Sequence, residues 1–492
     1  MTNLLKRVQS KKVILWGVGA IQMDVEALFP ELQIAYYIDD RLEEKGNRIL
    51  PCLQEKSKTS DCLLNEEKDK VFIIVCEQNF TDIDLKLAQL GYEQGTQYIK
   101  YDRLLYEYPI EQFIERYWNN QVVVWGCGKS YEDYIEVVEK HTQGIAFIID
   151  GEADEIRTQD GYQVYSKKRA FEIFDNMPVI VASTYYPIIC QKLEAVGLKK
   201  GEDTLFCDTF FQLCRYAILK SVEYSFEDRQ RGSSHLLMVL AGYDEKNWDE
   251  VCRRIISYTP SFYDVCILSS GLKSDKLSQQ CAENGWSYLS TKENKISAIQ
   301  NLAIHLHRNA EWIAKMDEDI YLTEGTFEVL EDTYLEVEKK SRYLVGFVSP
   351  LIQVNTYGYV RILDITGKRD EWEQRFEKVK ITDGLNHHLR ITEEPRAVEY
   401  LWSIFDIDAY SKEHRGKEIT YSICPARYSI GMIFYKKETW IDMKFFPDAK
   451  GNNLGMDEEW FCNYCMMHAK AIVVAENVAV GHLGYKEQKK KR

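Results

Sequence analysis

Two stretches of this chain repeat one another, and that repetition constrains the fold more tightly than any other feature. The first stretch contains VILWGVGAIQMDVEALF, IAYYIDD, KVFIIVC and LKLAQLGYEQGTQYI; the second contains VVVWGCGKSYEDYIEVV, IAFIIDG, PVIVAS and QKLEAVGLKKGEDTLF. Trp16, Gly17 and Gly19 correspond to Trp125, Gly126 and Gly128, Asp39 to Asp150, and Gly91 and Gly95 to Gly197 and Gly201. Agreement in order, residue type and spacing indicates internal duplication. Each copy alternates β-branched runs with amphipathic helical stretches, which predicts a parallel sheet with crossover helices. The copies are placed at residues 1–110 and 111–222.

The paired glycines stand where a strand turns into a helix, a place where backbone N–H groups can meet a phosphate. Asp39 follows Gly17 by 22 residues and Asp150 follows Gly126 by 24, about the 20-residue offset at which a carboxylate meets a ribose hydroxyl. Gly17, Gly19, Asp39, Gly126, Gly128 and Asp150 are therefore candidate nucleotide-binding residues. The full GxGxxG fingerprint is absent, because Gln22 and Tyr131 occupy the third glycine position, and a tight turn explains the glycines as well. These WGxG modules resemble the Rossmann-like N-terminal domains of sugar acyltransferases and related bacterial carbohydrate enzymes. The resemblance implies a nucleotide-sugar pocket, a scaffold or a surface for homo-oligomer formation.

The polar stretch 223–234 is expected to be a linker, and a second α/β pattern follows over 235–485. HLLMVL, VCILSS, WSYLST and WIAKMD read as buried strands separated by helical patterns. Ligands of such sheets bind at the carboxyl ends of the strands. Asp317 and Asp319 close the last of these strands, two residues apart and so directed to one side. Two like charges held together there require a cation or a proton, and a hard divalent ion shared with substrate phosphates supplies one.

With these motifs in place, residues 235–325 resemble the donor half of GT-A fold glycosyltransferases, family two above all. The resemblance rests on AGYD after the first strand, SSG after the second, and ENKISAIQN ahead of the acids. Where the family reads Asn, Gly-x-Ser and Ala-Arg-Asn, this chain keeps Asn294, Ser297 and Asn301 but carries Lys295 and Gln300. A second stretch, FFPDAKGNNLGMDEEWF followed by VGHLGY, resembles the family's glycine-rich loop, acidic helix start and late histidine. Aligned on Gly455, the catalytic base is Asp457, with Glu458 and Glu459 as alternates and His482 as a third metal ligand beside Asp317 and Asp319. The resemblance further implies Mn²⁺ or Mg²⁺ as cofactor. Donor binding falls to Ala241, Tyr243, Asp244, Ser270, Asn294, Asp317 and Glu318.

The expected fold is α/β, two tandem Rossmann-like parallel-sheet domains followed by a GT-A domain. The expected activity is metal-dependent, inverting transfer of a sugar from a nucleotide-diphosphate donor, a UDP-sugar first, to a glycan or lipid-linked acceptor in bacterial surface polysaccharide synthesis. A nucleotidyltransferase, or a non-catalytic nucleotide-sugar scaffold built on the repeats, are the alternatives. Residues 343–430, rich in Tyr, Arg and Glu, are assigned to acceptor recognition or to a core-forming β extension. His387 and His388 are adjacent and would point apart in a strand, which argues against a shared metal.

Composition narrows the field. With 62 Lys and Arg against 77 Asp and Glu, the formal charge of −15 argues against nucleic-acid binding. No run approaches the length of a membrane-spanning helix, and the start lacks the pattern of a signal peptide. Thirteen scattered cysteines read as reduced core residues of a cytoplasmic protein, and the one CxxC, Cys462 with Cys465, as helix packing. The basic run over 486–492 reads as a frayed tail able to make weak peripheral contact with the inner face of a membrane.

Overall fold

The computed structural model describes residues 3–45, 51–78, 80–150, 157–340, 344–382, 390–391, 394–447 and 455–483. It divides into two compact units, Met1–Ser221 and Val222–Arg492. Both are α/β, with mainly parallel sheets.

In the first unit, strands β1 (Lys12–Trp16), β2 (Ile34–Ile38), β3 (Ser57–Lys58), β4 (Val71–Val75) and β5 (Tyr98–Lys100) form a parallel sheet in the order β3-β2-β1-β4-β5. Helix α1 (Ala20–Leu28) follows β1. The second copy supplies β6 (Val122–Trp125), β7 (Ile145–Ile149), β8 (Arg157–Gln159), β9 (Tyr162–Tyr165), β10 (Val179–Val181) and β11 (Thr204–Phe206), ordered β11-β10-β6-β7-β9-β8. Leaving out β8, an antiparallel edge strand, the second sheet repeats the order of the first. Central strands such as VFIIV are buried at every position, as strands covered on both faces must be. Helices α2 (Lys129–His141) and α3 (Cys207–Leu219) complete this half.

The second unit is built on β12 (Tyr224–Glu227), β13 (His235–Leu240), β14 (Asp264–Ser269), β15 (Ser287–Thr291), β16 (Trp312–Asp317), β17 (Ile320–Tyr321), β18 (Leu344–Ile352), β19 (Tyr421–Ile423), β20 (Met432–Lys436) and β21 (Lys470–His482). Helices α4 (Glu245–Tyr258), α5 (Asp275–Asn284) and α6 (Ile296–Leu306) connect the first four parallel strands. The sheet runs β12-β15-β14-β13-β16-β20-β18-β21-β17, with β19 also on β21. Strand β20 is antiparallel to both β16 and β18, and β21 is parallel to β18. The carboxyl ends of β13 to β16, β18 and β21 therefore share one edge.

Two expectations are corrected here. The stretch 223–234 is not a free linker: β12 pairs antiparallel with β15, and the N–H groups of Arg231, Gly232 and Ser233 all donate to the buried Asp264 carboxylate at 2.9–3.1 Å. Its polar character serves a buried acid rather than solvent. Nor is 343–430 a β extension. Beyond β18 and short β19, the described residues of this stretch include the helices α7 (Gly358–Thr366), α8 (Arg369–Arg375), α9 (Pro395–Ile404) and α10 (Ile407–His414). Tyr359, Trp372, Phe376 and Tyr400 pack on each other there with ring centroids 4.5–6.1 Å apart. These aromatics pack into a common core. His387, His388 and the run 486–492 lie outside the described residues. Among the described residues, no helix is long and apolar enough to cross a membrane.

The two repeats are joined by buried polar contacts. On α1, Asp24 is fully buried and accepts from the Phe206 N–H at 2.9 Å and from the Tyr186 hydroxyl, both of the second repeat. In the reverse direction, Tyr101 of the first repeat and Tyr134 of α2 both donate to Asp208 of α3. Burial pushes Asp24 up to about 6, against the opposing pull of the Tyr186 hydrogen bond. Its folded value lies above the unfolded one, so its contribution is complete below about pH 4 and is lost as pH rises through about 6. The loss amounts to about 3 kcal/mol. Asp24→Asn should flatten the pH dependence of the first unit's unfolding over that window, read as the difference between variant and wild-type urea transitions.

Candidate active site

The carboxyl edge of the second unit's sheet holds a cavity of about 480 Å³, lined by Leu240, Ala241, Tyr243, Leu268, Ser270, Asn294, Ile296, Lys315, Asp317, Glu318, Asp319, Ile430, Gly455, Asp457 and Glu458. Residues from the end of β16 thus meet residues of helix α12 (Met456–Met467), which follows the short helix α11 (Lys437–Asp442). Of the residues singled out in the sequence, Ala241, Tyr243, Ser270, Asn294, Asp317, Glu318, Asp319, Asp457 and Glu458 come together on its wall. Three do not, one of them His482, which stands beside Asp319 without lining the cavity. Asp244 sits buried at the head of α4, bonded by the Asn247 amide at 2.9 Å, and does not line the cavity. Glu459 is exposed on α12 and faces away from it.

The donor-side loops are locked to one another. The Tyr243 hydroxyl donates to Ser270 O at 2.5 Å, and the Ser269 hydroxyl to Ala241 O at 3.0 Å. Gly271, at φ +72°, lets its loop lie against Asn294; a Cβ there would stand 2.5 Å from the Asn294 Cβ. The Ser270 hydroxyl oxygen is buried without a hydrogen-bond partner while its residue lines the cavity. A buried polar atom of this kind is suited to a ligand hydroxyl or phosphate oxygen.

Among the described residues, five carboxylates line this cavity with a single ammonium, that of Lys315. Lys315 is 2% exposed and reaches Asp317 Oδ1 at 2.6 Å and Ile430 O at 2.8 Å. Burial alone would lower the Lys315 ammonium, but Asp317 and Asp457 raise it on balance. Burial raises Asp317; Lys315 pulls it back without cancelling the effect, and Asp319 adds to the rise. Glu318 turns away from its neighbours and accepts the N–H groups of Gly242 at 2.7 Å and Tyr243 at 3.0 Å, so it braces the first loop more than it binds a donor. Glu458 is held by Arg427 Nε at 2.6 Å and by the Ile430 N–H at 3.2 Å, a supporting part and not that of a base.

His482, at the end of β21, brings Nε2 to 3.4 Å from Asp319 Oδ1. Burial disfavours its imidazolium, but Asp319 and Asp317 outweigh this and hold His482 above its ordinary value. Among the described residues, no group of three or more His, Cys, Asp or Glu side chains is arranged to hold a metal ion. Asp319 and His482 fit a more limited task, in which substrate oxygens complete the shell of an ion that has only one or two protein ligands.

The WGxG turns use their residues differently from the sequence reading. Asp39 accepts the Val18 N–H at 2.9 Å and the Lys45 ammonium at 2.6 Å, and Lys45 continues to Glu77 at 2.7 Å. Asp150 is engaged by Arg157 at 2.5 Å and by the Cys127 thiol at 3.0 Å. A Cβ on Gly17 would lie 2.6 Å from Glu77 Cγ, and one on Gly126 2.5 Å from Ala182 O. These glycines let two neighbouring strand ends approach, and the acids close their own turns. Gly19 and Gly128 face open space.

A family model described as C2185-like, N-terminal, matches residues 118–202, within the second repeat. Comparison with curated proteins finds no match for the chain.

Lys315 is the residue sequence reasoning missed, although its position two before Asp317 in a strand put both on one face. Lys315→Met should destabilise the second unit by roughly 2–3 kcal/mol, since it strands a carboxylate that keeps a third of its side chain in water. Adding Asp317→Asn should recover most of that loss, and urea unfolding of the single and double variants measures both.

Proposed function

We propose that the second unit is a metal-dependent, inverting glycosyltransferase of GT-A type. It moves a sugar from a nucleotide-diphosphate donor, a UDP-sugar first, to a hydroxyl of a glycan or lipid-linked acceptor. The observation that carries this reading is the meeting, in one cavity at the carboxyl ends of parallel strands, of Asp317 and Asp319 with Asp457 from a helix 140 residues later. The buried, unpartnered Ser270 hydroxyl and the neighbouring Ala241, Tyr243 and Asn294 support a nucleotide site on the same edge. The first unit, with its two Rossmann-like sheets, acts as a scaffold in this reading, because its candidate acids are spent on closing their own turns. Assembly of bacterial surface polysaccharide in the cytoplasm, at the inner face of the membrane, is the setting that suits such a donor and acceptor.

Five carboxylates would repel a diphosphate as anionic as themselves. Asp319 and His482, with diphosphate oxygens, would hold a divalent ion there, Mn²⁺ or Mg²⁺, which supplies positive charge to the leaving group as the bond to the sugar breaks. Lys315 keeps Asp317 compensated meanwhile. Asp457 takes the proton of the acceptor hydroxyl, whose oxygen lone pair forms the new bond to C1 on the face opposite the diphosphate. The electron pair of the old C1–O bond departs with the nucleoside diphosphate. One displacement with one base inverts the configuration at C1, whereas retention would require a nucleophile as well.

Asp457→Asn should lower turnover by about 10²–10⁴-fold, the usual range for loss of a general base. Asp319→Ala should abolish the response of turnover to Mn²⁺. Release of UDP from UDP-sugars by the full chain measures both, and turnover surviving both substitutions overturns the assignment.

A further inference from the structure

The side chain that holds the proposed base comes from a position where the sequence departs from the family it resembles. Gln300 lies on α6, one turn beyond the cavity-lining Ile296, and is itself fully buried and outside the cavity wall. Its Nε2 donates to Asp457 Oδ2 at 2.9 Å, while the Glu458 N–H donates to Asp457 Oδ1 at 3.0 Å. Helix α6 is pinned at the adjacent residue: Asn301 accepts from Trp440 Nε1 at 2.9 Å and the Phe446 N–H at 3.0 Å, and donates to Phe446 O at 2.9 Å. The other end of the Gln300 amide, Oε1, is buried with no hydrogen-bond partner. An unmatched buried acceptor is unfavourable, so packing alone would favour an apolar side chain of the same shape here. Lys315 of β16 and Tyr435 of β20 act electrostatically on Asp457, and Asp317, Glu318, Asp319 and Glu458, the last bound to Arg427, share its cavity.

We propose that Gln300 is a positioning residue for Asp457, a neutral donor that fixes the carboxylate toward the cavity. The inference rests on the glycosyltransferase reading. An arginine at this position, as in the resembled family, would favour the ionised carboxylate and reduce its hold on the acceptor's proton. A neutral amide does so far less, because it adds a hydrogen bond without a positive charge. Turned about its last bond, it also presents Oε1 to a protonated Asp457, so each protonation state of the base meets a partner. The unmatched oxygen is then the cost of serving both states.

The test uses the full chain with UDP-glucose, UDP-galactose and UDP-N-acetylglucosamine in Mn²⁺, reading UDP release to water and Tm. Gln300→Met should lower kcat by at least about tenfold and keep the donor KM within about threefold, with a modest fall in Tm because Asp457 Oδ2 loses its donor. Gln300→Arg should move the acid limb of the kcat profile to lower pH by about 1–3 units, and Gln300→Glu should move it up. If Asp457→Asn abolishes turnover while Gln300→Met keeps wild-type kcat, the inference is wrong and the proposed base stands. If the acid limb stays fixed in the charged variants, Gln300 is only structural and the inference is also wrong. Wild-type turnover in Asp457→Asn, or no UDP release by the wild type from any of the three donors, removes the proposed function and this inference with it.

Discussion

The second unit is organised around one electrostatic problem: among the described residues, five carboxylates at one sheet edge with one ammonium. Each acid has its own answer. Asp317 has Lys315, Glu318 has two backbone N–H groups, Asp319 has His482, Asp457 has an amide, and Glu458 has Arg427. Similar groups in dissimilar surroundings acquire different proton affinities and different tasks. A uniform ring of acids would have to protonate or scatter. This one stays assembled because every member is compensated by a group of another kind.

The strand acids were legible because their signal is local. WIAKMD is an apolar strand that ends in charge, and MDEE opens a helix where acids are favoured. Lys315, two residues before Asp317, was within reach of the same local signal, but the other partners come from remote parts of the chain: Gln300 lies 157 positions before Asp457, and His482 comes from the far end of β21 to meet Asp319. The polar stretch ahead of β13 was misread for the same reason. Its purpose is set by Asp264, some thirty residues on, and polarity by itself does not distinguish a solvated linker from a backbone that caps a buried acid. The helices between β18 and β20 were missed because Tyr, Trp and Phe are strong strand formers by propensity, while their spacing here follows a helical face.

The repeats teach a related lesson about glycine. At Gly17 and Gly126 the same absence of a Cβ that would admit a phosphate instead admits the neighbouring strand end. Sequence spacing cannot separate these uses, because both ask for a bare backbone at the same turn. What separates them is whether the nearby acid is left over, and Asp39 is already joined to Lys45.

Strand β21 carries a further consequence for how the molecule matures. It pairs with β17, β18 and β19 and delivers His482 to Asp319, which lies more than 160 residues earlier. A nascent chain therefore exposes Asp317 and Asp319 long before Asp457 and His482 have been made. Until then Lys315, already present on the same strand, is the compensating charge at hand. Translation supplies the acids at the end of β16 first and their remote partners last, and the pairing of β17 with β21, the most distant in sequence of the sheet's pairings, is the one that brings His482 to Asp319.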